Sequence, residues 1–438
     1  MKHKEPFFIR NIEWILVIIL LIKIASYFSV TEVRIIRQFF KVISRVGMTV
    51  SILLILIRLR TLGCVNTWRL KNSLNVFLYI LYLGLGFVSF TWSTDPSYSA
   101  LQWFMTFESF VFVFIFFKVI CTLNQYFSHH QINLIDIFIK STFPILLTFA
   151  IGSFAFPDIF YREMRGGDEI RLGGWIMNPN ELGMLASLNG ALAYVMLTKG
   201  EKVEKIFPLI SIAVAIAILF LTASRSSLIG FVIIIGILIL RSNSKKLKVT
   251  MILGMLILVP LAIRFIIFKN EGGISEVLSM TGRIPFWTAL LNEGIVKEPF
   301  FGYGFMRINY IDHFQGLNTY AGNMTHNTFL QVLMNLGFVG FFIALFQVIL
   351  TIKNYLKNKR TVYGDFFIAL FIPVMINSFT EFGIFGDANY GILFWQFLIF
   401  LFVFEKRHFL TSIERLKVKK FNKNFPHNDP NMGIKQPK

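Results

Sequence analysis

Charged side chains are scarce in this chain. They make up 15% of its 438 residues, against roughly 25% in soluble domains, and that excludes an ordinary water-soluble globule. Cysteine is scarcer still. Cys64 and Cys121 are the two present, too few and too far apart for a disulfide framework or a cysteine-based metal centre. No internal repeat of period 20–50 is visible in the sequence. The first apolar run has Lys2, Lys4 and Arg10 ahead of it but no small-residue cleavage site behind it, so it reads as a retained span and not a signal peptide.

Apolar residues are abundant instead: 55% of the chain, 51 of them Phe, with a mean hydropathy of +0.64. A membrane-crossing helix needs about 20 such residues. The pattern predicts an all-α, polytopic transmembrane bundle of about twelve spans, near 12–30, 36–57, 74–92, 101–121, 134–156, 181–198, 206–222, 226–240, 249–268, 327–352, 363–380 and 389–404. The spans at 206–222 and 226–240 are short enough to form one hairpin near the membrane surface. Residues 1–404 then form the membrane domain, and 405–438 a basic, disordered cytoplasmic tail.

The formal charge of +19 does not point to nucleic acid, because the basic residues sit in short clusters between apolar runs. Such clusters mark topology. Connections at 58–73, 199–205, 241–248 and 353–362 are basic, whereas 93–100 and 381–388 carry Asp95, Glu381 and Asp387 without Lys or Arg. Twelve spans put all the basic connections, both termini and both cysteines on the cytoplasmic side. One connection disagrees. Residues 31–45 carry Arg34, Arg37, Lys41 and Arg45, yet the count places part of that stretch outside. Either the second span has an amphipathic lead-in, or the first two boundaries are displaced.

Two outer loops, 157–180 and 269–326, are long enough to fold, and the second is expected to be helical. They contain no HExxH, GxSxG or P-loop pattern. The adjacent Asp168 and Glu169 lack the second carboxylate cluster of a metal-dependent glycosyltransferase site. Gly302-Tyr303-Gly304 reads as a turn. Arg225 lies between two short spans, where it either snorkels to lipid phosphate or grips a diphosphate by paired hydrogen bonds. Arg283 has the same two readings, with Trp287 one turn on as an interfacial anchor. His326 is either a helix-start residue or a general base, since imidazole titrates near neutral pH. Asn327, Gln331 and Asn335 recur every fourth position and share a helix face, as a helix–helix seam or as substrate contacts.

Four segments together resemble the O-antigen ligase and polymerase superfamily of integral-membrane glycosyltransferases: RLGGWIMNPNELG (171–183), TASRSSLIGF (222–231), GRIPFWTALL with PFFGYGF (282–305), and HNTFLQVLMNLGFVG (326–340). The resemblance implies a GT-C-like membrane fold in the bacterial inner membrane. It also implies metal- and cofactor-independent, inverting transfer of a glycan from undecaprenyl pyrophosphate at the outer face. By the matching motifs, Arg225 and Arg283 hold the diphosphate and His326 deprotonates or orients the attacking hydroxyl. Arg171, Asn180, Asn327 and Gln331 are the substrate-contacting candidates. A polymerase acting on a second lipid-linked repeat unit is the first reading, served by a flippase and a chain-length regulator. A ligase acting on lipid A core or on a protein is the second. A lipid-linked sugar transporter is the third, disfavoured because the polar residues gather at the outer surface and not at mid-membrane.

Overall fold

The computed structural model describes residues 7–29, 31, 33–65, 67–127, 132–164, 169–199, 205–242, 283–305, 325–381, 383–386 and 388–406, with short pieces between 245 and 256 and between 414 and 421. Most of the expected ninth span, Asp168, most of the 269–326 loop and most of the 405–438 tail lie outside the described residues.

Helices follow the apolar runs. They are α1 (Ile12–Ala25), α2 (Arg34–Thr61), α3 (Leu74–Val88), α4 (Pro96–Tyr126), α5 (Leu134–Ala155) and α6 (Pro179–Lys199). After these come α7 (Ile206–Thr222), α8 (Arg225–Leu240), α9 (Arg283–Ala289), α10 (Thr328–Asn358), α11 (Val362–Ser378) and α12 (Tyr390–Phe400). Eleven of the twelve expected spans therefore coincide with a helix. Six helices, α2 to α6 and α10, are long and apolar enough to cross a membrane, while α7, α8, α11 and α12 are shorter apolar helices. These helices mark a membrane protein.

Polar residues at the ends of the runs are consumed in capping. Asp95 takes the amide of Tyr98 ahead of Pro96, and Asn133, Thr361 and Asn389 do the same for α5, α11 and α12. Each satisfies helix-start amides that have no intrahelical partner. Inside the bundle α12 is buried along its whole length. α6 packs against α5, α7, α8 and α11. Asn189 on α6 ties three helices, donating to Thr142 Oγ1 on α5 at 2.8 Å and accepting from Ser211 on α7 at 2.7 Å. At the periphery, α2 and α3 expose Ile35, Phe39, Ile43, Phe77 and Ile80, as lipid-facing helices do.

Three local features differ from the sequence expectation or sharpen it. The all-α expectation misses two small antiparallel pairings. One joins β1 (Trp68–Leu70) to β4 (Phe404–Lys406), and the other is a hairpin of β2 (Tyr161–Met164) and β3 (Glu169–Leu172) inside the 157–180 loop. Strands this short carry too little alternation to stand out against apolar neighbours. Secondly, α7 and α8 are not a simple hairpin. Ala223 takes the left-handed conformation with φ 49° and reverses the chain, after which both helices pack chiefly on α6. Thirdly, the disputed basic stretch is the opening of α2. That helix has 28 residues, about 42 Å at 1.5 Å per residue, longer than a hydrocarbon core of about 30 Å.

Candidate active site

The site lies at the end of the bundle where α6, α8 and α10 begin and α7 and α11 finish. Its centre is Glu381, in the turn after α11. Glu381 is 4% exposed. Its Oε1 accepts from Arg283 Nη2 at 2.7 Å and from Asn180 Nδ2 at 2.9 Å, and its Oε2 lies 2.8 Å from His326 Nδ1. Arg283 also donates to the carbonyl of Thr380. Asn180 in turn accepts from Arg171 Nη2 at 2.7 Å, while Arg171 Nε donates to the carbonyl of Thr222 at 2.8 Å. Ser227 donates to the carbonyl of Asn180 at 3.2 Å. Residues from all four sequence segments thus meet around one carboxylate that belongs to none of them.

Burial acts to raise the Glu381 carboxyl, but the His326 hydrogen bond and charge, followed by the Arg283 charge and hydrogen bond, outweigh it and hold the group below its ordinary value. The carboxylate is therefore ionised near neutral pH and can only accept hydrogen bonds. It follows that Nδ1 of His326 carries the hydrogen facing Glu381, and neutral imidazole then has its basic lone pair on Nε2. A small pocket is lined by His326, Asn327, Gln331, Glu381, Thr325, Thr328, Phe385 and Gly386. His326 has φ 51°, a left-handed conformation that costs a non-glycine residue about 1–3 kcal/mol. It is held there on both sides. Trp287 Nε1 donates to the carbonyl of Thr325 at 2.6 Å, and Asn327 caps α10 by accepting from the amides of Phe329 and Leu330.

The start of α10 is fixed by a helix break. Gly337 has φ 62° and ψ −163°, which interrupts the helical hydrogen bonding. The PFFGYGF loop fills the gap. Tyr303 and Gly304 amides donate to the carbonyls of Met334 and Asn335, and Phe338 and Val339 amides donate to the carbonyls of Pro299 and Phe300. A Cβ on Gly337 would lie 2.2 Å from the backbone carbon of Phe300, and one on Gly302 2.5 Å from the carbonyl oxygen of Met334. The third and fourth sequence segments are therefore two halves of one structure. Phe305 then seats against Gly86 of α3, and its amide donates to Ser89 Oγ at 2.9 Å.

The other expected residues take distinct places. Asn327 spends its side-chain oxygen on the helix cap. Gln331 lines the pocket but also accepts from Thr325 and donates to Asn335 at 2.9 Å, so the polar stripe closes on its own helix and the preceding turn. Arg225 opens α8, in the turn that Arg171 and Ser227 tie to Asn180. Among the described residues its guanidinium has no hydrogen bond or ion pair. Sequence reasoning missed Glu381, using it only as a sign of an outer connection. Its neighbourhood offered no signal beyond that of an outer-loop carboxylate, since Asp387 shares the same connection and no Lys or Arg does.

Helices and site together define a membrane protein with a histidine–carboxylate–arginine centre at one end of its bundle. Residues 181–345 match the family model described as O-Antigen ligase, and this supports the O-antigen ligase and polymerase superfamily. The matched segment contains Arg225, Arg283, His326, Asn327 and Gln331, whereas Arg171, Asn180 and Glu381 lie outside it. That match supports an enzyme. No curated protein matches the chain.

Proposed function

We propose that the chain is a bacterial surface-polysaccharide polymerase. It transfers a glycan from undecaprenyl pyrophosphate to a sugar hydroxyl of a second lipid-linked repeat unit, at the outer face of the cytoplasmic membrane. The observation that carries this reading is the Glu381 carboxylate, which holds His326 and Arg283 side by side. Glu381 fixes the ring so that Nε2 takes the proton of the acceptor hydroxyl. The oxygen attacks the anomeric carbon from the face opposite the diphosphate, giving inversion. The carbon–oxygen bond to phosphate breaks, and the diphosphate leaves with the electron pair. Two of the five Arg283 donors go to Thr380 and Glu381, leaving others for the leaving group. Arg225, placed by the Arg171–Asn180 chain, is the second cation for that charge. Fixed cations at a developing negative charge supply much of such a catalyst's effect. Asn180 and Arg171 position this machinery, and Asn327 and Gln331 shape the pocket wall.

A ligase handing a finished chain to lipid A core or to a protein is the second reading, supported by the match of residues 181–345 to the O-Antigen ligase model. One experiment separates them. Cells and reconstituted vesicles carrying wild type, Arg225→Ala, Arg283→Ala, His326→Ala or Glu381→Gln are compared by gels of lipid-linked and surface glycans. A polymerase gives a ladder in wild type and a single repeat unit in the variants, with Glu381→Gln slowed about 100-fold or more. Long polymer retained on undecaprenyl pyrophosphate in the variants identifies a ligase. Wild-type behaviour in all four variants removes the catalytic assignment and returns transport to the front.

A further inference from the structure

The opening of α2 is amphipathic with its charged face turned inward. Ile35 (79% exposed), Phe39 (60%) and Ile43 (52%) face out, while Arg37, Lys41 and Arg45, also at four-residue spacing, lie on the opposite face. Arg45 is 2% exposed, and its Nε and Nη2 have no hydrogen-bond partner among the described residues. Its guanidinium carbon lies 3.7 Å from the Tyr27 ring centroid. Lys41 interacts with Glu181 as well as with Arg37 and Arg45. Lys23, beside Arg45, is paired with Glu108 through a 2.7 Å hydrogen bond. Among the described residues four formal cations thus answer to two carboxylates, an inward surplus of about two positive charges. Buried charge without a counter-ion is costly, and inward-facing basic residues in membrane helices commonly line anion pathways. Positive-inside topology does not account for them, because the span count places part of that stretch on the outer side.

This stripe adjoins the active site. The amide of Ser29, just ahead of α2, donates to the carbonyl of Ile176 at 2.9 Å. Tyr390 donates to the carbonyl of Glu181, and Glu181 follows Asn180, the hydrogen-bond partner of Glu381. Glu181 and Glu381 also sense each other electrostatically. The stripe thus reaches Glu181 through Lys41, and Arg283 reaches Glu381, so both cation groups lie near the Asn180–Glu381 pair.

We propose that Arg37, Lys41 and Arg45 form a second anion subsite, which holds the phosphates of a second lipid-linked glycan, the acceptor. This rests on the glycosyl-transfer reading above, since it is a reaction between two lipid-borne substrates that needs two such subsites. The test is native mass spectrometry of the full chain in zwitterionic nanodiscs, with undecaprenyl diphosphate as probe. Undecaprenol, phosphatidylglycerol and inorganic pyrophosphate serve as competitors. Two equivalents of the diphosphate lipid are expected on wild type, one on Arg37→Gln/Lys41→Gln, one on Arg225→Gln/Arg283→Gln, and two again on Lys41→Arg. Arg45 is left intact because its burial ties it to folding. Two equivalents on Arg37→Gln/Lys41→Gln would overturn the proposal, as would a single wild-type equivalent lost only with Arg225→Gln/Arg283→Gln. Phosphatidylglycerol or pyrophosphate displacing the stripe-dependent equivalent would assign the stripe to bulk headgroups or free anion and overturn it too. Wild type that binds no diphosphate lipid defeats the glycosyl-transfer reading itself, a distinct result.

Discussion

At the scale of single residues, Glu381 decides more than any other side chain. It is a buried carboxylate with three donors, and removing it would leave Arg283 and His326 without their shared partner. Breaking a buried, hydrogen-bonded ion pair costs about 3–5 kcal/mol, so Glu381→Ala is expected to lose stability as well as activity, whereas Glu381→Gln keeps the shape. The pH dependence follows from the direction of its shift. Its folded value lies below the ordinary 4.5, so its contribution to stability is complete above about pH 4.5 and is lost as pH falls through the lower, folded value. Thermal melting in detergent should therefore be insensitive to Glu381 ionisation from pH 5 to 8 and decline only below that. The wild-type and Glu381→Gln melting temperatures should converge under acid. A gap that widens as pH drops would contradict this assignment.

At the scale of elements, the break in α10 and the PFFGYGF loop form one unit, and its glycines carry the geometry. Gly337→Ala meets both a positive φ and the Phe300 backbone, for which a loss of several kcal/mol is expected from strain and clash. Gly84 on α3 is the control, because a Cβ there meets nothing within 4 Å. Gly84→Ala should be neutral or gain about 0.5–1 kcal/mol from helix propensity. Melting curves of the two variants in the same detergent make the comparison. Loss of the loop contacts in Gly337→Ala should also lower transfer, since Asn335, Met334 and the His326 turn share that helix start.

At the scale of the whole molecule, topology decides which side of the membrane the site faces. Trp175 is 63% exposed beside the β2–β3 hairpin, and Lys359 ends α10 at the opposite end of that helix from His326. In cells, a cysteine at Trp175 should react with a membrane-impermeant maleimide from outside, and one at Lys359 only after permeabilisation. Background labelling should be low. Cys64 is buried, with burial pushing its thiol up to about 12, and Cys121→Ser removes the other native thiol. Reversed labelling would invert the bundle and remove the site from the outer face.

Composition, hydropathy period and charge clusters determined by themselves that this is a helical membrane protein, because each span must satisfy its backbone internally and shield about 20 apolar residues from water. They also brought Arg283 and His326 forward as candidates, since polar groups in such a chain stand out against their surroundings, while Arg171 and Asn180 entered only through the resemblance of the four segments. Tertiary structure alone decided that these four converge, and on what. Glu381 lies 55 residues from His326 and 98 from Arg283, and nothing local distinguishes it from an ordinary outer-loop carboxylate. Only packing α11 against α6 and α10 brings the charges within hydrogen-bonding distance. The same holds for the basic stripe of α2, whose spacing is legible in sequence. Which face turns inward is settled by the neighbours the helix packs against.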